Sequence, residues 1–197
     1  MLISPNRLIR TIILKVKDPM NSDPFRESLS RIPSSQGKTL IELSEAAPVL
    51  VVFLRHGGCP FCRQVLDQLK SLSAQLAERH LQLAIVHMMD EKEASSLLAR
   101  YQLRNVYSFS DPDRTLYELF QVRRGSLAET VGPAVWWSGF KSTILAGYLP
   151  GIPGKDVQQL GAALILDHGK VVASYFSKNS ADLPDWNQLL SCELPRE

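Results

Sequence analysis

The chain has 197 residues, of which 45% are hydrophobic and 21% are charged, and its formal net charge is +2 at pH 7. This length and composition predict a single domain with one sizeable core, and the small net charge gives no indication of binding to nucleic acid or to an anionic membrane. Three cysteines do not make the disulfide framework of a secreted protein. An apolar stretch at residues 11–14 is too short for a signal peptide or a membrane span, so we expect a cytoplasmic protein.

Residues 1–36 are read as an N-terminal extension packed on the core, and residues 37–197 as the domain itself. Apolar residues between positions 7 and 16 fit a strand or a short helix, and their periodicity does not decide between them. Pro19, Pro24 and Pro33 then suggest irregular chain. Residues 37–43 are predicted to form a short strand that enters a helical turn at residues 44–47.

The most informative stretch is a strand followed by a helix that begins with two cysteines. Residues 49–54 are apolar and rich in β-branched side chains, and they end at a charged, glycine-containing turn, which predicts a buried strand that stops abruptly. Cys59-Pro60-Phe61-Cys62 then opens a helix to about residue 80, because Pro60 suits a first helical turn. The apolar stripe of this helix is Val65, Leu69, Leu72 and Leu76.

Two thiols at a helix N-terminus are typical of a redox site. The unpaired amides and the helix dipole favour a thiolate at Cys59, and Arg55, His56 and Arg63 are close enough in sequence to add positive potential. Cys62 follows one helical turn later, within reach of a disulfide. We expect Cys59 to be the more exposed thiol, to titrate below a free thiol and to act as the nucleophile that Cys62 resolves.

The chain after the cysteine helix alternates between strands and helices. It predicts a buried strand at residues 81–87, a helix capped by Asp90 and Glu93, and a strand at residues 106–109. A further helix is predicted to start at Asp111-Pro112 and to run through residue 120, with Gly125 as its stop. This alternation favours a central sheet covered on both faces.

The last third contains an insertion and a hairpin. Residues 126–154 are rich in glycine, proline and aromatic residues, and Pro133 is a candidate start for a helix to residue 145. Their aromatic side chains either complete the core or line a substrate cleft or dimer surface. Residues 162–166 and 171–176 flank a predicted two-residue turn at His168-Gly169. A last helix starts at Asp182 or Pro184 and ends near Cys192, which we interpret as a packing residue.

Two resemblances follow from these residues. Cys59-Pro60-Phe61-Cys62 resembles the active-site pattern of glutaredoxins. The longer context, GKTLIELSEAAPVLVVFLRHGGCPFCRQ with the later QLGAALILDHGKVVASYF, is similar to the peroxiredoxin-like antioxidant proteins of the alkyl-hydroperoxide-reductase/thiol-specific-antioxidant superfamily. This second resemblance covers residues 37–192. It implies a thioredoxin-like α/β fold, with a central mixed sheet flanked by helices, and thiol-dependent peroxide or disulfide chemistry without a cofactor.

The chain departs from both patterns. Peroxiredoxins carry a proline and a threonine or serine before the reactive cysteine, where this chain has Val52 and His56. They also use an arginine before the late strand, where this chain has Gln158-Gln159. Lys155, Arg123 and Arg124 are candidate substitutes. The cis-proline of thioredoxins and glutaredoxins is replaced by Leu160-Gly161. Because positioned donors of this kind matter for the rate, we expect peroxide reduction to be measurable but slow.

Three hypotheses remain open from the sequence. The favoured one is an antioxidant enzyme in which the Cys59 thiolate attacks a peroxide and Cys62 forms a disulfide with it, re-reduced by thioredoxin, glutaredoxin or glutathione. The second is a protein disulfide oxidoreductase of glutaredoxin type. The third is a redox sensor whose surface at residues 126–154 responds to oxidation. Structural zinc is disfavoured because it normally needs four ligands, and the four histidines share no metal-binding spacing.

Overall fold

The fold is built on one mixed sheet of five strands. The computed structural model describes residues 18–103, 105–133, 137 and 156–192. β1 lies at the centre of the strand order β3-β2-β1-β4-β5 and runs parallel to β2 and antiparallel to β4. The predicted central mixed sheet is therefore confirmed. The strands are β1 Val49–Phe53, β2 Gln82–His87, β3 Tyr107–Ser110, β4 Ala162–Asp167 and β5 Lys170–Phe176.

Helices cover both faces of this sheet. They are α1 Asp23–Ser28, α2 Leu40–Ala46, α3 Pro60–Glu78, α4 Glu91–Arg100, α5 Thr115–Leu119, α6 Leu127–Val131 and α7 Trp186–Leu190, with a 3₁₀ turn at Asp18–Asn21. Within the described part of the chain, every helix is too short or too polar to cross a lipid bilayer.

β1 is buried along its whole length, and its side chains alternate between two cores. Leu50 and Val52 pack in the cluster that contains the buried residues of α3, α4 and α7. Val49, Val51 and Phe53 pack in the cluster that contains those of α1, α2 and α5. The carboxyl end of β1 leads into the loop that connects it to α3. In open α/β sheets, that end of the strands is where ligands bind.

The structure contradicts the strand predicted at residues 37–43. Thr39 is instead the N-cap of α2: its hydroxyl accepts the amide of Glu42, and the Glu42 carboxylate accepts the amide of Thr39 at 2.8 Å. These reciprocal bonds satisfy two amides that would otherwise lack partners at the helix start. The helix therefore begins at Leu40, and the Thr-x-x-Glu spacing was the sequence signal that indicated it.

The helix predicted from Asp111 starts four residues later. Arg114 adopts a left-handed conformation with φ of 63°, and α5 begins after it. Asp111 still caps this helix, because its carboxylate oxygens accept the amides of Thr115 at 2.9 Å and Leu116 at 2.8 Å. Asp111 was predicted as the N-cap, but that position is held by Arg114, and Pro112 lies in the preceding turn rather than inside the helix.

The C-terminal hairpin agrees with its prediction. His168 and Gly169 form the two-residue turn with φ of 46° and 68°, as a type I′ turn requires. The last helix, α7, begins after Asp185, which accepts an amide from its first turn, and so starts later than Asp182 or Pro184.

Only part of the aromatic insertion falls within the described residues. α6 is capped by reciprocal bonds between Ser126 and Glu129 and was not predicted. The helix expected from residue 133 to residue 145 lies almost wholly outside the described residues, as do residues 7–16.

The described part of the N-terminal extension packs on the second core. Met20, Phe25 and Leu29 are all buried, and the Phe25 ring meets Phe120 edge-on at 5.2 Å between centroids. Residues 18–36 thus cover the face of the sheet opposite α3. The boundary between extension and domain at residues 36 and 37 remains a prediction.

Phe25→Ala should lower the free energy of unfolding by about 3–5 kcal/mol, because it removes a buried aromatic ring from a packed site. Chemical denaturation of the full chain measures this change. Leu127→Ala is the control: its side chain is 60% exposed on α6, so we expect a change within about 0.5 kcal/mol. If Phe25→Ala lowered the free energy of unfolding no more than about 0.5 kcal/mol, as expected for Leu127→Ala, the packing of the extension would not contribute to stability.

Candidate active site

The loop between β1 and α3 holds the two predicted cysteines at the start of the helix. Cys59 is the N-cap of α3, with φ of −74° and ψ of 122°, and Pro60 occupies the first helical turn. The amide of Cys59 donates to the carbonyl of His56 at 3.1 Å, which closes the turn. The predicted placement of a C-x-x-C motif at a strand-to-helix junction is confirmed.

Arg55 is the residue that completes this site. Its Nη1 donates to the Cys59 sulfur at 3.0 Å. Its Nε donates to the carbonyl of Gln159, and its Nη2 to the carbonyl of Val157, both at 2.8 Å. Only 5% of the Arg55 surface is exposed. The guanidinium is thus anchored on one side by the segment before β4 and presents its charge to the thiol on the other.

Cys62 lies beside Cys59 and is bound from the same loop. The main-chain amide of Arg55 donates to the Cys62 sulfur at 3.2 Å, and a hydrogen bond joins the two cysteine side chains. Cys59 is 1% exposed and Cys62 is 4% exposed. The expectation that Cys59 is the more exposed thiol is therefore wrong: both sulfurs are buried where β1 ends.

The environment drives the pKa values of the two thiols apart. The hydrogen bond from Cys62 is the largest cause that lowers the pKa of Cys59, to about 6. The charge of Arg55 and the amides of Cys62 and Phe61 lower it further, against the effect of burial. The same shared hydrogen bond, with burial, raises the pKa of Cys62 well above its ordinary value. The site thus favours a thiolate at Cys59 and a thiol at Cys62.

His56 does not supply the positive charge that the sequence suggested. Burial and the neighbouring charge of Arg55 lower the pKa of His56 to about 4, so the ring is neutral at pH 7. Arg63 lies on α3, where its charge acts on Tyr101. Of the three basic residues proposed from the sequence, Arg55 donates a hydrogen bond to the Cys59 sulfur, and its charge lowers the Cys59 pKa.

The arginines suggested as substitutes lie in other interactions. Arg123 forms an ion pair with Glu129 at 3.0 Å, and Arg124 forms one with Asp156 at 3.1 Å. Lys155 is outside the described residues. The position before β4 that is arginine in peroxiredoxins therefore contributes a carbonyl here, from Gln159, and the cation at the Cys59 sulfur comes from Arg55 in the loop after β1.

A small cavity lies next to the thiol pair on the Cys62 side. Its volume is about 30 Å³, enough for a water molecule. Cys62 and Arg55 line it, and Ser177 and Asp182 from the segment after β5 contribute polar walls.

Cys192, the third cysteine, lies away from this site. Cys192 is partly buried against the core at the end of α7, where its carbonyl accepts Arg79 Nη2 at 3.0 Å. Burial raises the pKa of the Cys192 thiol. Among the described residues, no three histidine, cysteine, aspartate or glutamate side chains cluster as a metal site would require.

Several solved structures with a similar fold carry the name peroxiredoxin or peroxidoxin. A cysteine-to-serine mutant of peroxiredoxin Q from Xanthomonas campestris matches with a TM-score of 0.53 and 16% identity over 73% of this chain and 78% of that chain. Peroxidoxin BcpB from Mycobacterium tuberculosis matches with a TM-score of 0.57 and 17% identity over 81% and 88% of the two chains. A mutant of peroxiredoxin 6 from Arenicola marina has a TM-score of 0.58 and 10% identity over 81% and 66%. These likenesses confirm the thioredoxin-like fold.

The sequence itself gives a family match that does not depend on the fold. A search of curated proteins found no significant match. The family model described as the AhpC/TSA family matches residues 31–147, which include the strand, the loop and the helix that form the thiol site. Because this match spans more than half of the chain, the protein belongs to the AhpC/TSA family of thiol-dependent, peroxide-reducing oxidoreductases.

Proposed function

We propose that Cys59 is the thiolate that reduces the peroxide, that Arg55 activates it and that Cys62 resolves the product. The observation that carries this proposal is the 3.0 Å contact between Arg55 Nη1 and the Cys59 sulfur. A buried thiolate without a cation would be costly, since burial disfavours charge. Arg55, held by the carbonyls of Gln159 and Val157, supplies that cation in a fixed position.

In the first step, a lone pair of the Cys59 thiolate attacks one oxygen of a hydroperoxide. The S–O bond forms as the O–O bond breaks, so sulfur is oxidised to a sulfenic acid and the peroxide is reduced. The leaving oxygen departs as an alkoxide or hydroxide and takes a proton from solvent. Arg55 lies against the sulfur at which the peroxide must arrive, and a donor fixed there stabilises the negative charge that passes from sulfur to oxygen.

In the second step, Cys62 attacks the sulfur of the Cys59 sulfenic acid. The S–S bond forms, the S–O bond breaks, and the departing hydroxide takes the thiol proton to give water. The hydrogen bond between the two side chains supports this step, because it brings the two sulfurs together. The cavity beside Cys62 has room for the water that is released.

The burial of both sulfurs favours a peroxide over a protein disulfide as the oxidant. A protein disulfide must bring its own sulfur into line with the attacking thiolate, and sulfurs that are 1% and 4% exposed leave little room for one. A hydroperoxide needs only a small opening. This argument agrees with the family match and makes the glutaredoxin-type function the less favoured one.

Arg55 also changes the expectation for the rate. The sequence lacks both the hydroxyl and the arginine that peroxiredoxins carry, and slow peroxide reduction was expected for that reason. Arg55 supplies one of these two donors. The other position holds His56, whose ring is neutral at pH 7.

The disulfide of each turnover must be reduced by an external thiol. Thioredoxin, glutaredoxin and glutathione all remain candidates for that reductant. A homodimer, with contacts through the N-terminal extension or residues 126–154, also remains a proposal.

Arg55→Gln should raise the pKa of Cys59 by at least about one unit, because an opposite charge within a few ångströms lowers a pKa by about 1–3 units. The wild-type thiolate persists above about pH 6 and is lost as the pH falls through that value. In the variant this transition should move to higher pH. The measurement is the rate of iodoacetamide alkylation at Cys59 against pH, mapped by mass spectrometry.

Arg123→Gln is the matched control for that experiment. It removes the same side chain from an ion pair with Glu129 on the surface. We expect its alkylation profile to follow the wild type. A Cys59 profile that is unchanged by Arg55→Gln, or shifted equally by both substitutions, would contradict the role of Arg55.

Cys59→Ser should abolish peroxide consumption, and Cys62→Ser should allow one turnover and accumulate sulfenic acid at Cys59. The first substitution removes the attacking sulfur, whereas the second removes only the resolving one. Dimedone labelling and peptide mapping after one equivalent of hydrogen peroxide distinguish the two outcomes.

Cys192→Ser controls for the third thiol. We expect it to form the Cys59–Cys62 disulfide as the wild type does, since Cys192 packs at the end of α7. Peroxide consumption that survives Cys59→Ser would refute the assignment of the nucleophile. A dominant Cys59–Cys192 link in the wild type would refute that of the resolving thiol.

A further inference from the structure

A buried tyrosine on α5 is linked by hydrogen bonds to the thiol pair. The Tyr117 side chain is fully buried, and its hydroxyl donates to the carbonyl of Leu54. That carbonyl belongs to the peptide between Leu54 and Arg55. The N–H of the same peptide donates to the Cys62 sulfur at 3.2 Å. The phenol and the sulfur are therefore bound at opposite ends of one peptide group.

The hydrogen bonds that lead from the Tyr117 phenol to Cys59 all donate in the same direction, toward Cys59. The phenol O–H points to the carbonyl oxygen, the peptide N–H points to Cys62, and the Cys62 thiol is hydrogen-bonded to Cys59. When a carbonyl accepts a hydrogen bond, its peptide N–H becomes a better donor, so bonds arranged in a chain strengthen one another. The chain begins at a neutral group, because burial raises the pKa of Tyr117 well above its ordinary value.

We propose that Tyr117 is a positioning residue for the resolving step, acting on the Cys62 sulfur through the Leu54–Arg55 peptide. This inference rests on the proposed roles of Cys59 and Cys62. While Cys59 is a thiolate, the chain helps Cys62 to donate to it. Once Cys59 is a sulfenic acid, Cys62 must lose its proton to attack. The same peptide N–H then stabilises the negative charge that develops on the Cys62 sulfur.

Other groups around Cys62 also favour its charged form: the charge of Arg55 and a main-chain hydrogen bond from His56 both lower the Cys62 pKa. Both remain when the Tyr117 hydroxyl is removed. Arg55 lies on the same loop and its guanidinium binds the Cys59 sulfur. Asp182, from the segment after β5, lies across the cavity, where a carboxylate opposes a thiolate rather than favouring it. The Arg55 amide is the donor on Cys62 that Tyr117 can polarise, because it belongs to the same peptide as the Leu54 carbonyl that accepts the phenol.

Tyr117→Phe isolates the hydroxyl, because the phenyl ring keeps the edge-on contact with Phe53 at 5.0 Å. We expect the Cys59 sulfenic acid to persist up to about fourfold longer, because loss of the phenol weakens the hydrogen bond from the Arg55 amide to the Cys62 sulfur by about 10–30% without breaking it. Its formation at pH 8 should change less than about twofold, since Cys59 is ionised there in both proteins. Rapid quenching with dimedone after mixing with hydrogen peroxide measures both rates.

Two further variants separate this role from a loss of stability. Ser108→Ala removes another buried hydroxyl, which hydrogen-bonds to His87 Nε2 at 2.7 Å away from the thiols, and should leave the sulfenic acid lifetime unchanged. Tyr117→3,5-difluorotyrosine makes the phenol a stronger donor and should shorten that lifetime. A lifetime that Tyr117→Phe leaves unaltered, or that Ser108→Ala lengthens equally, would overturn the proposal.

A second readout does not depend on peroxide. In Cys59→Ser protein, the alkylation of Cys62 by iodoacetamide against pH reports its own ionisation. Adding Tyr117→Phe should move that profile to higher pH, and adding the difluoro residue should move it lower. If peroxide does not react with Cys59 at all, the proposed function fails and this profile still decides the role of Tyr117. Identical profiles in all three proteins would refute it.

Discussion

The contact between the Arg55 guanidinium and the Cys59 sulfur is the interaction on which the site depends. A buried cation is tolerated only when it is paired and its hydrogen-bond donors find acceptors, and here the acceptors are two carbonyls and the sulfur. The sheet creates this arrangement. β1 and β4 are antiparallel, with Phe53 paired to Ala162, so the residue that follows β1 meets the residues that precede β4. Arg55 and Gln159, 104 positions apart, become neighbours for that reason.

The two thiols differ in ionisation although they lie side by side. Cys62 donates their shared hydrogen bond and Cys59 accepts it. This bond lowers the pKa of Cys59 and raises the pKa of Cys62. This asymmetry supports the proposal that Cys59 attacks the peroxide and that Cys62 keeps its proton until the sulfenic acid forms. The main-chain hydrogen bonds of Cys62 and Phe61 at the start of α3 each lower the Cys59 pKa less than the Cys62 thiol or the Arg55 charge does.

The sequence predicted those parts of the fold that depend on local patterns. The apolar run of β1, the stripe of α3 and the turn at His168-Gly169 all follow from residues close to one another in the chain, and the structure confirms them. Arg55 was noted only as a nearby charge, because its role depends on the distant carbonyls of Gln159 and Val157. The burial of Cys59 was mispredicted for the same reason, since exposure at a helix N-terminus is decided by the segments that pack over it. The Thr39 capping box was visible in the sequence and was overlooked.

The central claim is that a buried thiolate held by Arg55 reacts selectively with peroxide. The most direct test compares two second-order rate constants of Cys59, one with hydrogen peroxide and one with hydroxyethyl disulfide, against those of a small thiol of matched pKa. A positioned donor contributes about 10²–10³ to a rate of this kind. We therefore predict that Cys59 reacts with hydrogen peroxide faster than the small thiol does by at least this factor. With hydroxyethyl disulfide, we predict that Cys59 reacts no faster than the small thiol. An enhanced disulfide rate with a peroxide rate equal to that of the small thiol would contradict the mechanism.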